Sequence, residues 1–115
     1  MNPAPEIPKW LLSSLNQIYQ LRAKSKRKGF FDEIERDLDR LEENFQDQGF
    51  TLHDPMGEKC PDTRTDVEVN ISGEGEDNLI VVEVIKPIIR FGTAGLEINQ
   101  STIVQKGVVV AESKK

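Results

Sequence analysis

The apolar residues of this chain change their period once, near Phe50, and that change limits the fold more than any motif does. Up to residue 49 they recur at helical spacing. Beyond it they alternate or run together in β-branched blocks, at residues 78–91 and 102–111. Two amphipathic helices, a turn-rich linker and a small sheet follow, which makes the chain α+β, with a helical region at 1–49 and a compact β-domain at 50–115.

Pro8 suits a first helical turn, where a missing N–H costs nothing. Trp10, Leu11, Leu12, Leu15, Ile18, Tyr19 and Leu21 then spread over roughly 200° of helix circumference, wider than the stripe of a surface helix. Gly29 offers a left-handed stop. In the second helix Phe31, Ile34, Leu38, Leu41 and Phe45 recur with 3,4,3,4 spacing and, with Phe30, fall within roughly 100°. Glu33, Asp37 and Arg40 occupy the solvated face. Gly49 ends this helix, and Phe50 is placed to pack back on Phe45. A narrow heptad stripe beside a broad one leads to a hairpin that pairs with a second copy as a coiled-coil-like, dimeric four-helix bundle. Leu11, Leu15, Ile18, Phe31, Ile34, Leu38, Leu41 and Phe45 would form the dimer contact. The alternative is a hairpin folded onto its own sheet.

Residues 51–64 hold Pro55 and Pro61 among turn formers and form a connecting loop, with a short strand at 50–52. Val67, Val69 and Ile71 alternate with Asp66, Glu68 and Asn70, a strand with one apolar and one wet face. An acidic turn leads to residues 79–85, apolar on both faces and therefore expected at the sheet centre. Pro87 marks a bulge or an edge, after which residues 88–91 take a new course. A turn at 92–95, a short strand at 96–99, one long strand at 102–111 with Gly107 as a bulge, and a fraying tail from Ser113 complete the reading.

The net charge of −5 is unevenly spread. Residues 1–28 carry six basic and one acidic side chain, 29–85 four and seventeen, and 86–115 five and two. A dominant basic face, which nucleic acid requires, is missing; the cluster Arg22, Lys24, Lys26, Arg27, Lys28 is accounted for by the dipole at a helix C-terminus. No window approaches the roughly 20 apolar residues of a membrane span, and the first residues lack a basic-then-apolar leader. A cytoplasmic protein is expected, and the single Cys60 permits a reducing compartment.

Chemistry is sparse. His53 and Cys60 share a loop but have no evident third group to orient them as a nucleophile pair. His53, Asp54, Glu58, Cys60 and Asp62 follow no recognised metal-ligand spacing. Gly73-Glu74-Gly75 lies in an acidic turn that would repel phosphate. No catalytic residue, metal or cofactor is expected, and the chain reads as a binding protein and not as an enzyme.

Gly49, Pro55, Gly57 and Glu58 match a linker of the type G-x-x-x-x-x-P-x-G-E-x-F-D-P-x-x-H-E-A, with Cys60-Pro61-Asp62 in place of F-D-P and Thr65-Asp66-Val67 in place of H-E-A. Residues 79–86 resemble a strand of the type T-V-x-x-V-x-x-K-G-Y, with Pro87-Ile88 replacing G-Y, and residues 101–111 resemble R-x-x-R-P-A-M-V-x-V-A. Together, over about residues 30–112, these features resemble the GrpE-type nucleotide exchange factors, in a short form without the family's long helical stalk. The resemblance implies a homodimer whose β-domain binds the nucleotide-binding domain of a DnaK-type chaperone ATPase and promotes ADP release. It implies partner contacts at Val84, Lys86, Lys106 and Val110, and at Arg90; core packing for the valines and plain solvation for the lysines are the competing readings. Ser101 and Val104 stand at the family's two arginine positions, the first a chaperone contact, so Lys106 or Arg90 would have to supply the cation. A non-catalytic adaptor of the same architecture, serving a specialised chaperone-like ATPase or another partner, is the second expectation.

Overall fold

The computed structural model describes residues 6–92 and 101–114. Helix α1 spans Lys9–Lys28 and α2 spans Phe31–Asp47. Pro8 caps α1, its carbonyl accepting from Leu11 N–H at 3.0 Å. Lys26, Arg27 and Lys28 fill the last turn of α1, and Asp32 and Glu33 fill the first turn of α2, so the two helix ends that meet at this turn carry the charge their dipoles favour. Between them Gly29 sits at φ 84°, and its N–H and that of Phe30 both bond to the Ser25 carbonyl. Arg22 then spans the hairpin, reaching Asp39 at 3.1 Å and Glu42 at 3.0 Å.

Six strands follow: β1 Phe50–His53, β2 Val67–Ser72, β3 Leu79–Lys86, β4 Ile88–Phe91, β5 Thr102–Gln105 and β6 Gly107–Ser113. They form two three-stranded sheets, ordered β1-β4-β5 and β2-β6-β3. The first is antiparallel; in the second, β2 runs parallel and β3 antiparallel to β6. The chain crosses from one sheet to the other in the linker between His53 and Val67, at Pro87 and again at Lys106.

Three expectations are corrected by this arrangement. Residues 79–85 are not central: β3 is a side strand, and β6 holds the middle. The apolarity of β3 has another cause, because register shifts between Val81 and Glu83 and between Val84 and Lys86 interrupt its alternation. Its outer edge is closed in part by the linker, where Gly57 N–H bonds to Val81 O, Val81 N–H to Glu58 O, and Cys60 N–H to Leu79 O. Residues 102–111 are two strands in different sheets. The break falls at Gly107, where a Cβ would come within 2.9 Å of Ile88 Cγ1 and 3.2 Å of Val67 Cγ1, so this is a point where the two sheets touch. The tail is held as far as Lys114, whose N–H bonds to Asn78 O. Most of the turn expected at 92–95, and the strand at 96–99, lie outside the described residues.

Adjacent residues of β4 face opposite ways. Ile88, fully buried, packs with Cys60, Val67, Leu79, Val81, Val109 and Ala111 between the sheets. Ile89, also fully buried, packs with Leu15 and Phe50, and Leu11, Leu12, Phe45, Phe91 and Val104 join that cluster. The first sheet is therefore a middle layer, with helices on one face and the second sheet on the other. The helical and β regions share the Leu15–Phe50–Ile89 cluster, and the hairpin folds onto its own sheet. Gly49 makes the join possible: at φ 97° its carbonyl accepts from Gly92 N–H at 2.9 Å, and any Cβ there would overlap the Gly92 carbonyl.

Candidate functional site

The open surface of the second sheet follows from the register. Val109 and Ala111 are buried against the first sheet, so Val108, Val110 and Glu112 of β6 face away from it. On one side Lys86, Glu83 and Ile80 pair with Val108, Val110 and Glu112; on the other side Glu68, Asn70 and Ser72 do. Two half-buried valines on the central strand, extended by Ile80, thus form an apolar strip between polar and charged rows. Among the described residues α1 and α2 pack on each other and on the first sheet, and α1 reaches the second only where Gln20 Nε2 donates to Ile85 O at 3.4 Å.

The expected contact residues separate on this frame. Val110 and Lys86 belong to the open surface, Val110 half-buried and Lys86 exposed. Lys106 is exposed at the crossing between β5 and β6. Val84 pairs with Val109 and packs against the cluster between the sheets, the core role that competed with partner contact. Arg90 is not an available cation: its Nη2 lies 3.3 Å from Asp66 Oδ2, and its side chain is 16% exposed. Val104 packs into the helix-side cluster, so an arginine at this position would have to displace that packing.

Asp66 belongs to a chain of charges that the sequence did not reveal. His53 Nε2 lies 2.7 Å from Glu58 Oε2, Arg64 Nη2 lies 2.8 Å from Glu58 Oε1, and Arg64 Nε lies 2.6 Å from Asp66 Oδ1. Arg64 Nη1 also donates to the Lys59 carbonyl at 3.0 Å. Glu58 and Asp66, the two of the linker pattern's three acidic positions that are acidic here, are thus joined through one guanidinium. Burial alone would raise both carboxyls. At Glu58 it is outweighed by hydrogen bonds from His53 and Arg64, and at Asp66 by the Arg64 hydrogen bond and charge with help from Arg90, so both titrate below their ordinary range. Burial pushes the Cys60 thiol up, with Asp66 and Asp62 adding to it, which keeps the sulfur protonated; His53 is held by Glu58. The arrangement fixes a loop and offers no activated nucleophile. Among the described residues no group of three or more His, Cys, Asp or Glu is placed to hold a metal. A further tie runs from α1: partial burial, with the Asp54 carboxylate beside it, pushes the half-buried Tyr19 phenol up to about 12.

The eight residues expected at a dimer contact are largely used within the protomer. Leu15, Ile18 and Leu38 are buried, Leu11, Phe31, Ile34 and Phe45 are half-buried, and Leu41 alone is exposed, at 42%. On the helical wheel Leu41 and Phe30 flank Leu38 on one side, while Glu42 and Asp39, which hold Arg22, flank it on the other. Trp10 (66% exposed) and Leu21 (45%) are the exposed apolar residues of α1. Near Trp10 a groove of about 550 Å³ opens between the hairpin and the first sheet, lined by Leu11, Phe45, Phe50 and Phe91. Of these exposed apolar residues at the stripe margins, the expected contact included Leu41 and left out Trp10 and Leu21. No helix of the described residues is long and apolar enough to cross a membrane. Compared with known protein families, with curated proteins and with solved structures, the chain has no match.

Proposed function

We propose that this chain is a non-enzymatic binding protein of the cytoplasm, GrpE-like in architecture, that grips the nucleotide-binding domain of a DnaK-type ATPase and promotes release of ADP. The observation that carries the reading is the open outer surface of the second sheet: an apolar strip of Val108 and Val110 on a strand held from both sides, next to Lys86, and facing away from the chain's own helices. Such a surface suits a protein partner better than a small molecule, because its apolar residues stand on a sheet face with polar and charged residues in rows to either side. The partner's open form would be bound more tightly than its ADP-closed form, and by linkage ADP must weaken the complex by the same factor. The margins of the hairpin, Trp10, Leu21 and Leu41, would seat the second copy of a homodimer.

Arg90 bound to Asp66 and Val104 inside the helix-side cluster favour a second reading, an adaptor that keeps the grip and has lost the cations of exchange. Release of labelled ADP from a DnaK-type ATPase tests both. Acceleration by the wild-type chain, reduced about tenfold in Val110→Glu and Lys106→Glu, would support exchange. Co-sedimentation with the ATPase at unchanged release would establish the adaptor. Neither binding nor acceleration would remove DnaK-type ATPases as clients.

A further inference from the structure

The second sheet has an edge that the described chain leaves open. β2 hydrogen-bonds to β6, and among the described residues no segment pairs with its other side. The parity of the ladder fixes which groups face outward. Asp66 O accepts from Gly107 N–H at 3.0 Å, so Glu68 and Asn70 turn their backbone groups toward β6, while Val67, Val69 and Ile71 turn theirs away. The same three side chains stand on the inner side of the sheet with Val109 and Ala111. Val67 is covered there, but Val69 remains 38% and Ile71 49% exposed. Unpaired backbone and uncovered apolar side chains therefore coincide on one short strand. None of the usual devices for blunting an edge, a proline, a bulge or an inward-pointing charge, is present between residues 67 and 72.

Charge selects the occupant. Glu68 lies on the strand, Glu74, Glu76 and Asp77 follow it in the loop, and Glu112 accepts from Ser72 Oγ at 3.1 Å. The cation at the start of the strand, Arg64, is already held by Glu58 and Asp66. A second copy of β2 would bring the same acidic loop against this one, whereas a basic segment is complementary to it. We propose that β2 is a strand-addition site for an extended segment of a partner protein in which apolar residues alternate with lysine or arginine. Main-chain bonds to Val69 and Ile71 would supply the grip, their side chains would be buried by the added strand, and the acidic rim would select the sequence.

The test titrates the whole chain with a short peptide alternating valine and lysine, and with its valine–glutamate counterpart, following amide shifts and hydrogen exchange. The expected result is saturable binding of the lysine peptide, about tenfold or more tighter than the glutamate one, with slowed exchange at Val69 and Ile71. Val69→Pro removes an outward donor without touching a β2–β6 bond and should abolish binding. Val69→Lys, which keeps the backbone and adds like charge, should weaken it about tenfold, so the idea stays testable if the proline variant does not fold. Equal binding of both peptides, binding without protection at Val69 and Ile71, no binding at millimolar peptide, or self-association through β2 would each overturn the proposal.

Discussion

Truncating Leu15 to alanine tests whether the hairpin belongs to the β-region's core. Leu15 is 1% exposed and packs with Phe50 and Ile89. The substitution removes three carbons, worth about 2.5 kcal/mol at about 0.8 kcal/mol per buried methylene, and the cavity left in a cluster of rigid rings and β-branched neighbours brings the loss to about 3 to 4 kcal/mol. With a urea m-value of about 1.5 kcal/mol per molar, the unfolding midpoint should fall by about 2 M. Circular dichroism, which follows the helices, and a β-domain amide followed by NMR should report the same shifted midpoint. Leu41→Ala removes the same atoms from a site 42% exposed, and in a protomer should cost about 1 kcal/mol or less. If Leu41 instead seats a second copy, the loss in its variant grows with the logarithm of protein concentration, and the Leu15 loss does not depend on concentration. A Leu15→Ala loss below about 1 kcal/mol, or separate helix and sheet transitions, would refute the shared core.

Gly107→Ala should destabilise by about 1 to 3 kcal/mol in the same denaturation assay, because the added methyl meets Ile88 Cγ1 at 2.9 Å where the sheets touch; a neutral substitution would mean that the crossing can yield. Glu58 and Asp66 titrate lower in the folded chain than their ordinary 4.5 and 3.8, so the unfolded state binds protons first on acidification. The stability they contribute is complete above those ordinary values and is lost as pH falls below them through the depressed folded ones; Asp66→Asn should flatten the acid limb of a stability–pH curve, and an unchanged slope would show that the Arg64 chain contributes nothing measurable.

The helices were legible because their signals are local: a stripe of period 3.6, basic residues before Gly29, and a glycine able to take φ 84°. The strands were legible as strands, but not in their order. β3 and β6 are both rich in β-branched residues, and what makes β6 central is that β2 and β3 both pair with it, a fact held in contacts up to 40 residues apart, such as Ser72 with Glu112. The break at Gly107 was visible only as an irregularity, since its cause is Ile88 on another strand. The charge chain was hidden for the same reason. Arg64 and Asp66 lie two residues apart and His53 and Glu58 five, but Arg90 reaches Asp66 only after the chain has crossed back to the first sheet. A free Arg90 was a fair reading of residues 86–115 taken alone, and the pairing with Asp66 removes it.

The two open surfaces of the second sheet make different demands on a partner. Val108 and Val110 ride on a strand bonded from both sides, so their spacing is set before any encounter, and association has to order little beyond the long Lys86 side chain. Contact there depends on side chains: Val110→Glu should matter, and a backbone change at Val69 should not. At the β2 edge the outward N–H and C=O groups of Val69 and Ile71 supply the grip, so a backbone change at Val69 should matter there and Val110→Glu, on the other face of the sheet, should not. One partner using both surfaces would respond to both kinds of substitution, with coupling measurable in a double-mutant cycle. Two partners would respond to one each, and the same pair of variants, Val110→Glu and Val69→Pro, tells these cases apart without the partner's structure being known.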